Sequence, residues 1–250
     1  MSEVTVDDIG GHVAVVGIHR PPNNFFDTDL VRQLAEVYER LGSSAWCRAL
    51  VLRAEGKNFC AGLDFASNAG QDIGQLYASA LRLFAAPLPV VAAVNGAAVG
   101  GGLGLALSAD FRVAAPSSRF SANFAQLGFH HGFALTVTLP RAVGMQVASD
   151  LLLTGRRVGG EEAAALGLCD ELCPEADLVD RARARALELA RSGPLAVRAI
   201  RATLRAGVVE SARAAMDHEH AEQERLRSTA DFAEGIAAAA ARRPPRFEGR

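Results

Sequence analysis

Residues 87–110 read PLPVVAAVNGAAVGGGLGLALSAD: an apolar run, an Asn-Gly pair, three successive glycines and a second apolar run. Pro87 and Pro89 break any preceding helix, so Val90 to Val94 reads as a buried strand. Gly100, Gly101 and Gly102 then turn the chain directly into a short helix, Gly101 to Leu107. A membrane-spanning helix would not carry this density of glycine together with Asn95. A helix start presents unpaired N–H groups and a partial positive charge, which stabilise an oxygen that gains negative charge. A dinucleotide fingerprint fits poorly because Leu105 stands where the third glycine is required. A Gly-Lys-Ser/Thr phosphate loop is absent from the sequence.

Working outward, the preceding stretch GKNFCAGLDF forms a second glycine-containing loop, in which Ala61-Gly62-Leu63 brings backbone close to whatever lies beyond it. It is flanked by a strand, Ala49 to Leu52, and a helix over roughly Ile73 to Phe84. A strand from Phe111 to Ala114 follows the central segment. Toward the N-terminus, Val4 to Val6 and Val13 to Ile18 read as strands joined by a Gly10-Gly11 hairpin turn. Asp27 has the position of an N-cap for a helix from Thr28 to Leu41, whose stripe is Leu30, Leu34, Val37, Tyr38 and Leu41. This repeating strand, turn and helix predicts an α/β domain with right-handed crossovers.

After Phe120 the pattern turns helical, around Leu135 to Val143, Met145 to Leu153 and Glu161 to Leu166, and nearly throughout from Ala176. The last helices are alanine-rich, with apolar faces wide enough to pack on another subunit as well as on their own. An oligomer is expected.

With 250 residues, half of them apolar, the chain can bury a large core. Its net charge of −2, spread without a basic block, leaves no electrostatic footprint for nucleic acid or for a membrane surface. The N-terminus lacks a basic segment followed by an apolar run, so export is not expected. Cys47, Cys60, Cys169 and Cys173 suit a reducing cytoplasm and form neither a disulfide scaffold nor a zinc motif. Cys60, in an apolar motif, reads as an inert buried thiol. His218 and His220, two apart on a helix, read as solvated surface rather than as a metal pair.

As a set, the motifs resemble the enoyl-CoA hydratase/isomerase (crotonase) superfamily almost end to end. They are Arg20-Pro21 with Asn23-Asn24, FCAGLD, the 87–110 segment, LPRAVG, LLLTGRRVGGEEAAALGLCDEL and the ending RRPPRFEG. The resemblance implies a crotonase-like spiral of ββα units over residues 1–195 and a C-terminal helical region, 196–250, used to form trimers often doubled to hexamers. It implies an acyl-CoA substrate, with coenzyme A entering as part of that substrate and no other cofactor. It also implies that the backbone N–H groups of Leu63 and Gly101 form an oxyanion hole for the thioester carbonyl. Ala61, Leu63, Asp64, Phe65, Gly101 and Phe124 would contact the substrate. Asp64 is expected to cap the helix that follows rather than to act chemically.

The sequence departs from the family at the groups that carry protons. Typical hydratases place one glutamate in each of two motifs, and here the matching positions are Gly104 and Phe124. An aspartate used by other relatives falls on Gly132. Near the expected acyl pocket this leaves His131 as the catalytic candidate, with His130 and Tyr77 behind it; a tyrosine stands at the His131 position in methylmalonyl-CoA decarboxylases. The alternative for both histidines is a loop role satisfied by backbone. The expectation is enolate chemistry other than two-glutamate hydration (isomerisation, decarboxylation or C–C cleavage) or else a non-catalytic acyl-CoA-binding or scaffolding protein.

Overall fold

A computed structural model of the chain describes residues 3–64 and 72–250. Alternating valines in the first strands allow a hairpin, β1 (Val4–Asp8) with β2 (Val13–Ile18), in antiparallel register from Val4 opposite Ile18 to Asp8 opposite Ala14. The helix α1 (Thr28–Ser43) begins where expected, the Asp27 carboxylate accepting from Leu30 N–H at 2.8 Å. After it come β3 (Ala49–Ala54), α2 (Ile73–Ala85), β4 (Val90–Val94), the short β5 (Ala97–Val99), α3 (Gly101–Ser108) and β6 (Phe111–Ala114). Two further short strands, β7 (Arg119–Ser121) and β8 (Arg157–Gly159), flank α4 (Leu135–Val143) and α5 (Met145–Thr154). The chain continues with α6 (Gly160–Leu166), β9 (Glu171–Leu172), α7 (Leu178–Arg191), α8 (Pro194–Leu204), α9 (Val208–Arg227) and α10 (Ala230–Ala240).

The strands form two sheets, one in the order β1-β2-β3-β4-β6-β9 and a smaller one in the order β5-β7-β8. In the larger sheet, β2 through β9 run parallel. Successive turns of the spiral add one strand to each sheet: β4 passes through Asn95-Gly96 into β5, and β6 leads likewise into β7. Parallel strands covered on both faces read as continuous apolar runs, and β2, β4 and most of β3 and β6 are buried accordingly. Val13, Val15, Val51, Val91 and Val113 pack against Leu178, Ala182, Ala186 and Ala190 of α7. Alanine at four-residue spacing lets that helix approach closely. The opposite face, with Val16, Leu50, Leu52 and Ala92, packs on α1, α2 and α3 in the main core.

The boundary drawn at residue 195 does not separate two packing units. Ala212 and Met216 of α9 belong to the main core, and α9 packs on α2 and α4. The helix α10 lies on the 3-10 turn Ala125–Leu127, where a Cβ on Gly235 would come within 2.4 Å of the Leu127 carbonyl group. By contrast, α8 buries none of its residues, and Leu195, Ile200 and Leu204 stand exposed. No helix among the described residues is long and apolar enough to cross a membrane.

Candidate functional site

The two glycine loops meet because a set of asparagine side chains ties them together. Asn24, fully buried and in the left-handed region, donates to the carbonyls of Glu55 and Asn58, both at 2.6 Å, and accepts from Arg20 N–H. Asn58 donates to the Asn23 side chain and accepts from Ala97 N–H at 3.1 Å. The backbone continues the stitching: Cys60 N–H donates to Ala97, Val99 N–H to Cys60 and Phe26 N–H to Gly62. The first loop therefore lies alongside β5 and runs with it toward the start of α3.

Gly62 and Gly100 are among the positions in this arrangement that admit only glycine. Gly62, at φ +86°, has no room for a Cβ, which would sit 2.8 Å from the Val99 oxygen; the same point is 3.7 Å from Gly101 N. Gly100 adopts φ 57°, ψ −123°, a conformation essentially confined to glycine, and it aims the first turn of α3 back toward the first loop. Among the described residues, neither Leu63 N–H nor Gly101 N–H donates to a protein acceptor.

Both residues line a cavity of about 370 Å³. Its walls are mainly apolar: Phe26 and Phe133 meet at a tilt with their ring centres 5.6 Å apart, and Phe124 stacks on Phe129, which is backed by Phe232 at 4.8 Å. The Phe133 ring fills the space in front of Gly104, where a Cβ would be 2.6 Å from the Phe133 Cβ. Of the residues expected to touch a substrate, Ala61, Leu63, Asp64, Gly101 and Phe124 all line the cavity, while Phe65 lies outside the described residues. Asp64 does not cap the following described helix; Asp72 does, accepting from Gln75 N–H at 3.0 Å. A cap must stand three residues before the N–H it accepts, which Asp64 does not. Cys60 is fully buried, and burial raises its thiol to about 12.

Polar groups enter from α2 and α9. The Tyr77 hydroxyl lines the cavity and donates to Gln223 Oε1 at 3.0 Å, and Gln223 Nε2 donates to the His130 carbonyl at 3.1 Å. Burial, and then the nearby Glu219 charge, push the Tyr77 hydroxyl well above its ordinary range, so it stays protonated near neutrality. The hydroxyl occupies the place of a side chain at residue 132: a Cβ on Gly132 would be 1.9 Å from it. Arg227, one turn beyond Gln223 on α9, also lines the cavity.

His131 and His130 are not brought into the lining, contrary to the catalytic expectation for them. The loop turns its glycine and Phe133 toward the cavity and its histidines away. His131 Nε2 lies 2.8 Å from the Thr136 hydroxyl, whose single proton goes to Glu219 at 2.6 Å, so the imidazole must be the donor. Burial, then the neighbouring His130 and His218, lower the His131 pKa to about 4, which keeps the ring neutral.

Glu219 escaped the sequence reading, as did Gln223 and Arg227. It is fully buried and accepts from Ala134 N–H, Thr136 N–H and the Thr136 hydroxyl. Phe133 and Ala134 have φ of 60° and 58°, and the Glu219 carboxylate at the start of α4 holds this costly turn. Burial raises its pKa while these donors lower it. In the sequence, Glu219 lay within MDHEHAEQERLRS, indistinguishable from a solvated charged face.

The family model described as enoyl-CoA hydratase/isomerase matches residues 8–250. A Rhodobacter capsulatus protein named "Probable enoyl-CoA hydratase" is 36% identical over 97% of each chain. Rat mitochondrial methylglutaconyl-CoA hydratase is 33% identical over 95% of this chain and 79% of its own. The crystal structure of an enoyl-CoA hydratase/isomerase from Pseudoalteromonas atlantica superposes with a TM-score of 0.89 at 29% identity, covering 99% of this chain and all of that one. With the spiral fold and matching loops, these likenesses establish that the chain belongs to the enoyl-CoA hydratase/isomerase family.

Proposed function

We propose that the chain binds an acyl-CoA thioester and that Leu63 N–H and Gly101 N–H receive the thioester oxygen as it takes on enolate charge. The observation that carries this reading is the pair of N–H groups without protein acceptors, one opening a buried helix, on the wall of an apolar cavity. Two such donors in a dry site contribute roughly 3–4 kcal/mol each to a developing oxyanion.

The chemistry that follows is not two-glutamate hydration. Hydration needs one group to activate water and one to protonate carbon. By resemblance these would stand at positions 104 and 124, where the chain has a glycine facing Phe133 and a phenylalanine. Tyr77, held protonated, donates a hydrogen bond but does not serve as a base. The site therefore suits reactions in which the enolate electrons come from a bond broken within the substrate, as in decarboxylation or C–C cleavage. Isomerisation would have to recruit Asp64, the carboxylate of the lining. The same shortage of proton carriers supports a second reading, a member that binds acyl-CoA without turning it over.

Incubating the protein with crotonyl-CoA, malonyl-type CoA esters and β-hydroxyacyl-CoAs, with products identified by mass spectrometry, tests both readings. No hydration of crotonyl-CoA, and loss of CO₂ or cleavage in another class, is expected. Robust crotonyl-CoA hydration overturns the proposal, and tight binding without any turnover leaves the non-catalytic reading. We further propose a trimer or hexamer, supported by the uncovered apolar side chains of α8. Light scattering checks it.

A further inference from the structure

At one wall of the cavity, polar groups converge that an alkyl chain would not need. Tyr77 from α2, with Gln223 and Arg227 from one face of α9, line the space beside Phe129, Ile236 and Ala240. The Arg227 guanidinium lies 5.7 Å from the centre of the Phe129 ring. Its buried Nε makes no hydrogen bond in the protein; the same atom lies 3.4 Å from Glu224 Oε1, an ion pair to a mostly exposed carboxylate. A buried guanidinium nitrogen held only by a loose ion pair, with no hydrogen bond, can still take a better-placed acceptor. Gln223 has one amide hydrogen beyond that used on the His130 carbonyl.

We infer that this wall reads an anionic end of the acyl group, so that the preferred ligands are CoA thioesters of dicarboxylic acids rather than of plain fatty acids. A carboxylate would take Arg227 Nε–H in a charge-assisted bond and displace Glu224 as its counter-ion, with Gln223 supplying a neutral donor beside it. The charged CoA phosphates offer the same chemistry to Arg227, and the two sources differ in what the neutral thioester does. The inference rests on the acyl-CoA reading given above.

The test is a calorimetric titration, which requires no turnover, of CoA and of three matched pairs: succinyl- with butanoyl-CoA, glutaryl- with pentanoyl-CoA, and adipyl- with hexanoyl-CoA. At least one dicarboxylic member is expected to bind about 10-fold or more tightly than its neutral partner, a difference of about 1.4 kcal/mol. Arg227→Gln should erase that ratio and leave CoA and the neutral thioesters unchanged. Glu224→Gln, which removes the competing carboxylate from an exposed position, should widen the ratio. Equal binding within every pair overturns the inference alone. A loss in Arg227→Gln shared equally by CoA and all thioesters assigns the residue to the phosphates and also overturns it. Failure of every thioester to bind overturns the acyl-CoA reading as well.

Discussion

The two ends of the cavity are built in opposite ways. At the proposed donor end the polar groups facing the cavity are backbone N–H groups, and the side chains that matter there are absent ones: Gly62, Gly100 and Gly102. At the proposed acyl end the polar groups are side chains, Tyr77, Gln223 and Arg227, brought from two helices whose Tyr77–Gln223 bond spans 146 positions. Backbone placement follows from local turns and close approach, whereas side-chain convergence needs α2 and α9 to pack first. The donor end should therefore tolerate almost no added volume, and the acyl end should respond in a graded way.

The sharpest way to break the contrast is Gly102→Ala. Its Cβ would fall 2.1 Å from the Cys60 carbonyl oxygen, forcing the two loops apart. Turnover on any verified substrate should fall by about 100-fold or more, with about 1–3 kcal/mol lost in thermal unfolding. Next comes Glu219→Ala at the acyl end, which removes the acceptor of the buried Ala134 N–H, of the Thr136 N–H and of the Thr136 hydroxyl proton and releases the turn at Phe133 and Ala134. A loss of about 3 kcal/mol in denaturant unfolding is expected. Preserved stability would mean that the turn holds itself.

Tyr77→Phe tests the same end more gently. It strands Gln223 Oε1 and should cost about 1–3 kcal/mol, while Gly132→Ala should mimic it by pushing the hydroxyl aside. The smallest effect is expected outside the cavity, at His131. Its folded pKa, lowered to about 4, lies below the unfolded value, so the unfolded chain binds more protons between these pH values. The His131 contribution is complete above the ordinary histidine pKa and is lost as pH falls through about 4. Such a shift would amount to about 3 kcal/mol by itself. Glu219, 3.9 Å away, favours the charged ring, so the measured effect should fall below this. Unfolding midpoints of His131→Gln and the parent chain should therefore converge in acid. A drop in turnover at neutral pH with stability unchanged would restore a chemical role to this histidine.

Much of the donor end was legible before any coordinates. Glycine runs, proline breaks and apolar periodicity act within a few residues, and they located β2 to β4 and α1 to α3; the family resemblance pointed to Ala61, Leu63 and Gly101, which line the cavity. The strands β5, β7 and β8 were not legible, because three-residue strands carry too little pattern to stand out. The face of the Gly128 to Phe133 loop was not legible either. Sequence position places His131 beside the cavity, but side-chain direction depends on the left-handed turn at Phe133 and Ala134, and that turn is held by a glutamate 85 residues away. What the sequence by itself determined was an α/β domain with two glycine-bearing loops, which rests on short-range steric rules, while the spiral and the family followed from the resemblance of its motifs as a set. What only the tertiary structure decided was which side chains face the ligand space, since Glu219, Gln223 and Arg227 acquire their roles from the burial and partners that the packing of α9 provides.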